Sequence, residues 1–393
     1  MTVEIRPMEE RDRDRVIALH AQAFQVPEFR LARQRTMPLE KGWVITRAGQ
    51  VVGGLRVDLV GQYFGGRSVP CAAIASVKLA PEARGTGLGQ ALMTEVVRHL
   101  AATGVALSTL YPSGPRLYRR LGYEIAGVNV RYRVPRAELP AKLTEAIEPW
   151  TPDDEPAVRS CYRRFAEREN GPIDRGDAWW SEWIVDPYLD RPTYRFLLRD
   201  GGTVRGYLVF GQSPDLRSDL PYAAAVHCID LVWDTPATAR ALLGFLGVQG
   251  PLVSTVSWSG PPNDPLMTLL GTQAATGSSG QWMTRVLAPG AALEGRGYPS
   301  HVAETLGLSI VDDTLPANTR VLTLTVANGK GTVRPDGDSE AELEVRGLAL
   351  LYTARHRAAE IIRLGLLRGA SVATQAKLDL IFGGPSPWMA EVF

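Results

Sequence analysis

Apolar and polar residues at the start of the chain follow the patterns of several strands and one helix. Residues 3–6 predict a first strand, and residues 11–24 carry apolar positions at helical spacing. Residues 43–47 and 51–60, joined by a short turn, predict a hairpin, and residues 69–79 predict a third long strand. Strands therefore dominate the amino-terminal region.

A glycine-rich loop ends this run of strands. Residues 84–89 read Arg-Gly-Thr-Gly-Leu-Gly, and helical periodicity then runs from Leu88 to Thr103-Gly104. Glycines allow tight turns that expose backbone N–H groups, and a helix start adds unpaired donors and a positive dipole end. The loop therefore predicts a phosphate site. It lacks the final interval of a dinucleotide fingerprint and the lysine of a nucleotide-binding loop.

The pattern then repeats in a degraded form. After a short buried strand (105–110), a short helix from residue 115 and a strand (123–134), residues 147–285 follow the plan of the first region. Where the first region has its glycine loop, Leu231–Leu243 has no glycine between Asp234 and Leu243. Bulky and β-branched side chains prevent the close approach that a pyrophosphate needs, so this repeat is predicted to bind no cofactor. Chance similarity of two βα units is the alternative.

The last hundred residues differ from both repeats. Residues 322–327 and 341–346 alternate as exposed strands do, and residues 348–367 have helical periodicity. This combination predicts a small α+β domain.

Composition narrows the functional classes. The 393 residues allow two to four domains, and three fit the pattern. A net charge of +1 gives no overall field that would recruit nucleic acid or an anionic membrane. Three scattered cysteines (Cys71, Cys161 and Cys228) offer no metal site. With no signal peptide and no stretch of membrane-spanning length, we expect a cytoplasmic protein.

The loop Arg84-x-x-Gly87-x-Gly89 after strand residues 76–79 resembles the acyl-CoA pyrophosphate loop of the GNAT superfamily of N-acetyltransferases. With the degraded repeat and the tail, which resembles a sterol-carrier-like domain, the full chain resembles the "enhanced intracellular survival" (Eis) acetyltransferase family. The resemblance implies an α+β (α/β) fold with tandem GNAT-like domains at 1–134 and 135–287, the second without cofactor, and a sterol-carrier-like domain at 288–393.

The resemblance also implies an activity and its partners. The co-substrate would be acetyl-CoA, with no metal, and the acceptors would be primary amines, including aminoglycosides and protein lysines. The protein would be a homohexamer. The alternatives within enzymes are acetylation of protein lysine or of a secondary-metabolite amine. A rival of another class is a scaffold that binds acyl-CoA or a lipid without turnover, which the intact loop glycines argue against.

The resemblance assigns cofactor-binding residues one by one. The pantetheine arm would lie along a strand edge formed by Val77, Lys78 and Leu79. The pyrophosphate would lie on Gly85, Thr86, Gly87, Leu88, Gly89 and Gln90, with Arg84 at the start of the loop. Ser113 and Gly114 would contact the arm from the other side. For Arg84, a solvated surface charge is the alternative.

The resemblance also assigns two catalytic groups. Tyr118, in Tyr-x-x-x-Gly-Tyr, would be the general acid that protonates the departing thiolate, with an aromatic core residue as the alternative. Tyr111 and Tyr123 compete for this role, and Tyr123 fits the core better because it opens a strand. The carboxylate of the terminal Phe393 would be the general base. The apolar carboxy terminus fits a tucked-in tail, which packing for stability also explains.

Acceptor recognition is the least determined part of the sequence. Polycations need acidic walls, and Glu28 and Glu391 are the candidates. An ordinary solvated carboxylate is the alternative for each, and the favoured one for Glu28. Trp179, Trp180 and Trp183 predict an apolar wall or a core. An apolar pocket would favour an amine metabolite over an antibiotic.

Overall fold

A computed structural model describes residues 2–25, 31, 34–185, 192–219, 221–272 and 276–393. The chain forms two units. The first contains Met1–Ala126, Gln281–Gly383 and Val392–Phe393, and the second contains Gly127–Gly280 and Gly384–Glu391. The domain boundaries at 134/135 and 287/288 stay a prediction.

Residues 2–135 form the predicted sequence of strands and helices. The strands are β1 (Val3–Pro7), β2 (Gly42–Arg47), β3 (Gln50–Phe64), β4 (Arg67–Leu79), β5 (Leu107–Leu110) and β6 (Glu124–Pro135). The helices are α1 (Arg13–Phe24), α2 (Leu88–Ala102) and α3 (Pro115–Arg119). In the first unit the strand order is β1-β2-β3-β4-β5-β13, where β13 is Thr276–Val286.

The core of this region lies between the sheet and α2. Leu92, Val96 and Leu100 recur at helical spacing and are buried against the sheet, as their spacing predicts. The helix ends at Ala102, and Gly104 follows with φ 81°, in the left-handed region that favours glycine. Packing of α2 fixes the position of the loop that precedes it.

The second repeat has the predicted plan. Its strands are β7 (Ile147–Pro149), β8 (Ile173–Asp174), β9 (Thr193–Asp200), β10 (Thr203–Pro214), β11 (Ala224–Trp233) and β12 (Val253–Gly260). Its helices are α4 (Glu155–Ala166), α5 (Asp177–Trp179, followed by a π-helical segment Trp180–Val185), α6 (Pro236–Gly247) and α7 (Pro265–Leu270). In the second unit the strand order is β6-β12-β11-β10-β9-β7.

The start of each repeat shows how closely the two correspond. In both, a short strand and a 3-10 turn precede a helix of 12 residues. Both turns carry a capping box, formed by Glu9 with Asp12 and by Thr151 with Asp154. Shared capping supports a true repeat over a chance similarity.

The tail forms the predicted α+β domain. Its helices are α8 (Pro289–Gly295), α9 (Val345–Tyr352), α10 (Ala358–Arg363) and α11 (Val372–Ile381). Its strands are β14 (Glu304–Val311), β15 (Arg320–Ala327), β16 (Lys330–Pro335), β17 (Ala341–Glu344) and β18 (Leu367–Arg368), in the order β16-β15-β14-β17-β18. Among the described residues of the whole chain, no helix is long and apolar enough to cross a membrane.

Candidate active site

Strand β4 is irregular where the cofactor arm was predicted to lie. Lys78 pairs with Gly54 of β3, but the next pair is Ala75 with Arg56, so β4 has an extra residue and forms a bulge. Within the bulge, Ser76 has φ 55°, in the left-handed region that non-glycine residues rarely adopt. A bulge takes backbone groups out of the regular ladder and makes them available for other contacts.

The other edge of β4 opens a cleft. The parallel pairing of β4 with β5 ends at Ile74 and Leu110. Val77–Leu79, predicted to contact the arm, extend past these last paired residues. Two parallel strands that separate in this way leave room for an extended ligand with amide groups to pair with the strand edge.

The glycine loop has the geometry of an anion site. Gly85 and Gly87 have φ 72° and 82°, which only glycine adopts readily. A Cβ built on either residue would meet no atom within 4 Å among the described residues, so the face of the loop is open. Thr86 stabilises the turn, because its hydroxyl donates to the carbonyl oxygen of Ala83 at 2.6 Å. The loop thus has the open, glycine-dependent geometry expected of the predicted phosphate site.

Helix α2 adds to this site because its first turn has no side-chain cap. Its N-cap is Gly87, and Leu88, Gly89 and Gln90 form the first turn. Their N–H groups and the positive end of the helix dipole are therefore available to an anion held by the loop. Arg84 is exposed, and its Nε donates to the carbonyl oxygen of Leu79 at 3.3 Å, so its guanidinium group borders the loop.

Tyr118 lies on α3, close to the predicted arm contacts. It is only 3% exposed, and burial raises the pKa of its phenol, although a hydrogen bond with the Ser113 side chain opposes this shift. Its ring lies 6.1 Å from that of Tyr123. Tyr123 is fully buried and its hydroxyl is 2.7 Å from that of Ser108, which agrees with a core role. Gly114, next to Ser113, is the N-cap of α3.

The terminal residue belongs to the first unit. The ring of Phe393 packs edge-on against Tyr111 at 5.9 Å, and Tyr111 follows the last residue of β5. The chain end is thus packed on the same unit as the glycine loop and Tyr118.

Glu391, a candidate for an acidic wall around the acceptor, is buried and ion-paired. It is 6% exposed, and its carboxylate accepts from Arg175 Nε at 2.6 Å and from the Tyr162 hydroxyl at 3.2 Å. Arg175 also bonds Asp230 at 2.6 Å and 3.2 Å. Glu391 thus neutralises a buried arginine within the second unit. Glu28 lies outside the described residues, and Trp179 and Trp180 are buried.

The predicted arm residue Lys78 has an unexpected side-chain environment. It is 4% exposed, and its ammonium group donates to the Ser76 carbonyl in the bulge at 3.3 Å. Burial, and then the charge of Arg56, lowers the pKa of Lys78 from 10.5 to about 7. The pKa of His20 is lowered to about 4, first by burial and then by the positive charges of Lys78 and Arg56. Asp58, the nearby carboxylate, is held by Lys41 at 2.9 Å and Arg56 at 2.7 Å.

Sequence reasoning missed His20, Arg175 and Asp230. His20 could have been found, because it lies three residues after Ile17 and four after Val16 on the apolar stripe of α1. Arg175 and Asp230 are 55 residues apart and belong to no motif, so no local signal links them.

Comparisons with known proteins agree with the three-part organisation. The family description "Acetyltransferase (GNAT) domain" matches residues 4–126 and, in a second family of the same description, residues 171–286. "Sterol carrier protein domain" matches residues 289–390. The fold and the open glycine cradle are those of an acetyl-CoA-dependent acetyltransferase.

Individual relatives define the family further. The chain is 27% identical over 394 aligned residues to the N-acetyltransferase Eis of Mycobacterium tuberculosis, covering 93% of this chain and 92% of the relative. The crystal structure of a GCN5-related N-acetyltransferase from Anabaena variabilis superimposes with a TM-score of 0.94 at 30% identity, covering 100% of both chains. Eis1 from Mycobacterium abscessus, at 22% identity and a TM-score of 0.81, shares the fold. The chain belongs to the Eis-type family of GCN5-related N-acetyltransferases.

Proposed function

We propose that this acetyltransferase acetylates the primary amine of a small molecule, with aminoglycoside-type polyamines as the principal acceptor class, using Tyr118 as general acid and the Phe393 carboxylate as general base. The observation that carries the proposal is the conjunction, in one unit, of the open cradle at Gly85–Gly87 with a buried, protonated tyrosine beside Ser113. The assembly is proposed to be a homohexamer, as the family resemblance implies.

Acetyl transfer needs a neutral amine, a thioester carbonyl that this amine can attack, and a proton for the departing thiolate. The Phe393 carboxylate accepts one proton from the acceptor ammonium, directly or through water, and the amine forms the new C–N bond. The C–S bond then breaks, and the sulfur takes the Tyr118 proton. The nitrogen then loses a second proton, which returns to the Tyr118 phenolate. The net product is therefore one proton, which leaves through the Phe393 carboxylate. Burial keeps Tyr118 protonated at neutral pH.

Replacing Tyr118 by Phe tests the acid assignment, because it removes the proton and keeps the ring. We expect kcat to fall by about 10²- to 10⁴-fold while the KM for acetyl-CoA changes little. Tyr123→Phe is the matched control, since Tyr123 bonds Ser108 in the core, and it should retain turnover. Unchanged thiol release by Tyr118→Phe would refute the assignment.

Extending the chain by a few residues after Phe393 tests the base. The extension displaces the carboxylate while leaving the Phe393 side chain in the sequence. We expect kcat to fall and acetyl-CoA affinity to be retained. Full activity of the extended chain would show that the terminal carboxylate is not the base.

A panel of acceptors tests the substrate class. Thiol release from acetyl-CoA would be measured with aminoglycosides, small monoamines and lysine peptides. A monoamine metabolite is the second candidate, because Glu391 is paired with Arg175 and the cluster of His20, Arg56 and Lys78 is basic. Turnover of monoamines alone would favour it, and turnover of lysine peptides alone would favour protein acetylation. Absence of thiol release with every acceptor would favour a non-catalytic acyl-CoA-binding protein.

A further inference from the structure

The first unit contains a cavity that lies outside the residues assigned to acetyl transfer. Its volume is about 340 Å³, within the range typical of small-molecule sites. Its apolar lining comes from both the first acetyltransferase domain and the tail domain, through Ile125, Leu350, Leu364 and Leu366. Leu350 and Leu366 are buried and Leu364 is 55% exposed, so the lining runs from the core to the surface.

The polar lining of this cavity is mostly basic. Arg119, Arg346, Arg355 and His356 line it together with one carboxylate, Glu124. Glu124 is already bonded by Arg119, at 2.7 Å to 3.1 Å, and lies 3.9 Å from Arg346. His356 lies 3.5 Å from Glu360. The cavity therefore keeps an excess of positive charge after its internal ion pairs are formed.

The chain turns sharply to place two of these basic residues. Helix α9 ends in a Schellman-type motif, in which Arg355 N–H bonds the Leu350 carbonyl at 2.9 Å and Ala354 N–H bonds that of Leu351 at 3.0 Å. Ala354 occupies the left-handed position with φ 62°, where glycine is favoured. This turn brings Arg355 and His356 to the wall of the cavity.

We propose that this cavity binds a small amphiphilic anion, with a carboxylate or phosphate head against Arg346 and Arg355 and an apolar body against the leucine side chains. Two guanidinium groups suit the planar oxygens of a carboxylate or the oxygens of a phosphate. The apolar lining excludes a fully hydrated inorganic ion as the best ligand. The site does not depend on acetyl transfer.

Calorimetric titration of the full chain, without acetyl-CoA, tests the proposal. Octanoate and octyl phosphate separate the two head groups, 1-octanol lacks the charge and inorganic phosphate lacks the apolar body. We expect at least one amphiphilic anion to bind about 10-fold or more tightly than octanol and phosphate, since octanol cannot accept charge-assisted hydrogen bonds as an anion and phosphate makes no apolar contact. Equal binding of octanol, or no binding of either anion, would overturn the proposal.

Variants connect the binding to this cavity. Arg346→Gln/Arg355→Gln should weaken the anion at least about 10-fold. Arg334→Gln, an exposed arginine of the same domain that is not part of the cavity, is the matched control and should bind normally. Circular dichroism would verify that the double variant is folded. Binding by the double variant that equals that of the wild type would overturn the proposal. It would also be overturned if the wild type bound no anion and the double variant changed its oligomeric state.

Discussion

The two acetyltransferase-like domains differ most at the start of one helix. In the first domain, α2 begins after its N-cap Gly87, which has no side chain to cap the helix. In the second, α6 begins after Thr235, whose hydroxyl accepts from Thr238 N–H at 3.2 Å, and Pro236 has no N–H to offer. The same helix end therefore keeps uncapped backbone donors in one domain and is capped by a side chain in the other.

The charged residues beside these two helix ends also differ. In the second domain, Asp234 precedes the cap, and its carboxylate is bonded by Arg164 at 2.7 Å and by Arg168 at 3.2 Å. This carboxylate engages both arginines, so the positive charges beside this helix end are already paired within the chain. In the first domain the residues before the helix are Arg84, Thr86 and two glycines, which repel no anion.

The clefts between the separating strands differ too. In the second domain the parallel pairing of β11 with β12 ends at His227 and Ser257. The residues just beyond, together with the tail residues Trp388 and Glu391, line a cavity of only about 10 Å³. The backbone N–H of Trp388 holds it there by donating a hydrogen bond to the Asn170 carbonyl at 3.0 Å. The chain thus fills with its own tail the cleft in which the first domain would hold the cofactor arm.

The largest effect should come from the buried ions of the filled cleft. Arg175→Met leaves the Asp230 and Glu391 carboxylates buried without their partner, which should lower the free energy of unfolding by about 3–5 kcal/mol. Urea unfolding followed by tryptophan fluorescence measures it. Arg368→Gln, in exposed pairs with Glu342 and Glu344, should cost less than about 1 kcal/mol. Equal costs would remove the distinction between the two pairs.

A second test adds a side chain to the open helix end. Gly87→Val should weaken acetyl-CoA binding about 100-fold, because a β-branched residue resists φ 82° and the loop must change shape. Gly202→Val is the matched control, since Gly202 has φ 79° and open space in a turn of the second domain. Titration calorimetry should show normal affinity for the control. Similar losses in both variants would mean that general strain, and not the cradle, causes the effect.

The third test uses Lys78, a buried lysine of the first domain whose ammonium group donates to the Ser76 carbonyl. Lys78→Met should raise the free energy of unfolding by up to about 5 kcal/mol at pH 6.5, since the shift of the Lys78 pKa from 10.5 to about 7 corresponds to about 1.4 kcal/mol per unit. The unfolded chain holds the Lys78 proton up to pH 10.5 and the folded chain only up to about 7, so the wild type gains stability as pH rises between these values. The benefit of Lys78→Met should therefore shrink towards pH 10.5.

Other titrating groups face the same cluster. His20 charges only below a pKa of about 4 in the folded chain, so its contribution to stability is lost between pH 6.5 and 4, outside the window of Lys78. Arg56, Lys41 and Asp58 complete the cluster. Lys330→Met, at an exposed position of the tail, should show no such pH-dependent gain. A benefit of Lys78→Met that is independent of pH would contradict burial of its charge.

The smallest effect concerns the cap of the second domain. Thr235→Ala should cost about 1 kcal/mol of stability, as loss of an N-cap usually does. It should not create a second acetyl-CoA site, because Pro236 and Asp234 remain. Thermal unfolding measures the loss of stability, and calorimetry measures acetyl-CoA binding. A new binding site in Thr235→Ala would show that the cap alone prevents binding at this helix end.

Features governed by local backbone chemistry could be predicted from the sequence. Gly85 and Gly87 adopt the conformations that made the loop recognisable, and Thr235-Pro236 closes the corresponding helix end. The repeat was visible because the 3-10 turns and helix caps depend on residues close together in the chain. The absence of glycine in Leu231–Leu243 carried the same kind of local information.

Features that depend on distant partners could not be predicted. Glu391 was expected on an acidic wall because an isolated carboxylate near a chain end carries no sign of its partner, Arg175, which lies 216 residues away. Lys78 was assigned through its backbone alone. Its burial depends on how α1 covers the sheet, and strand alternation does not specify that.

Counting the CoA molecules bound per chain by calorimetry tests the central claim most directly. Because the first domain keeps an open cradle and the second does not, the wild type should bind one CoA per chain, and Gly87→Val should weaken that binding about 100-fold while Gly202→Val retains it. Two CoA molecules per chain, or one bound with unchanged affinity by Gly87→Val, would contradict the account.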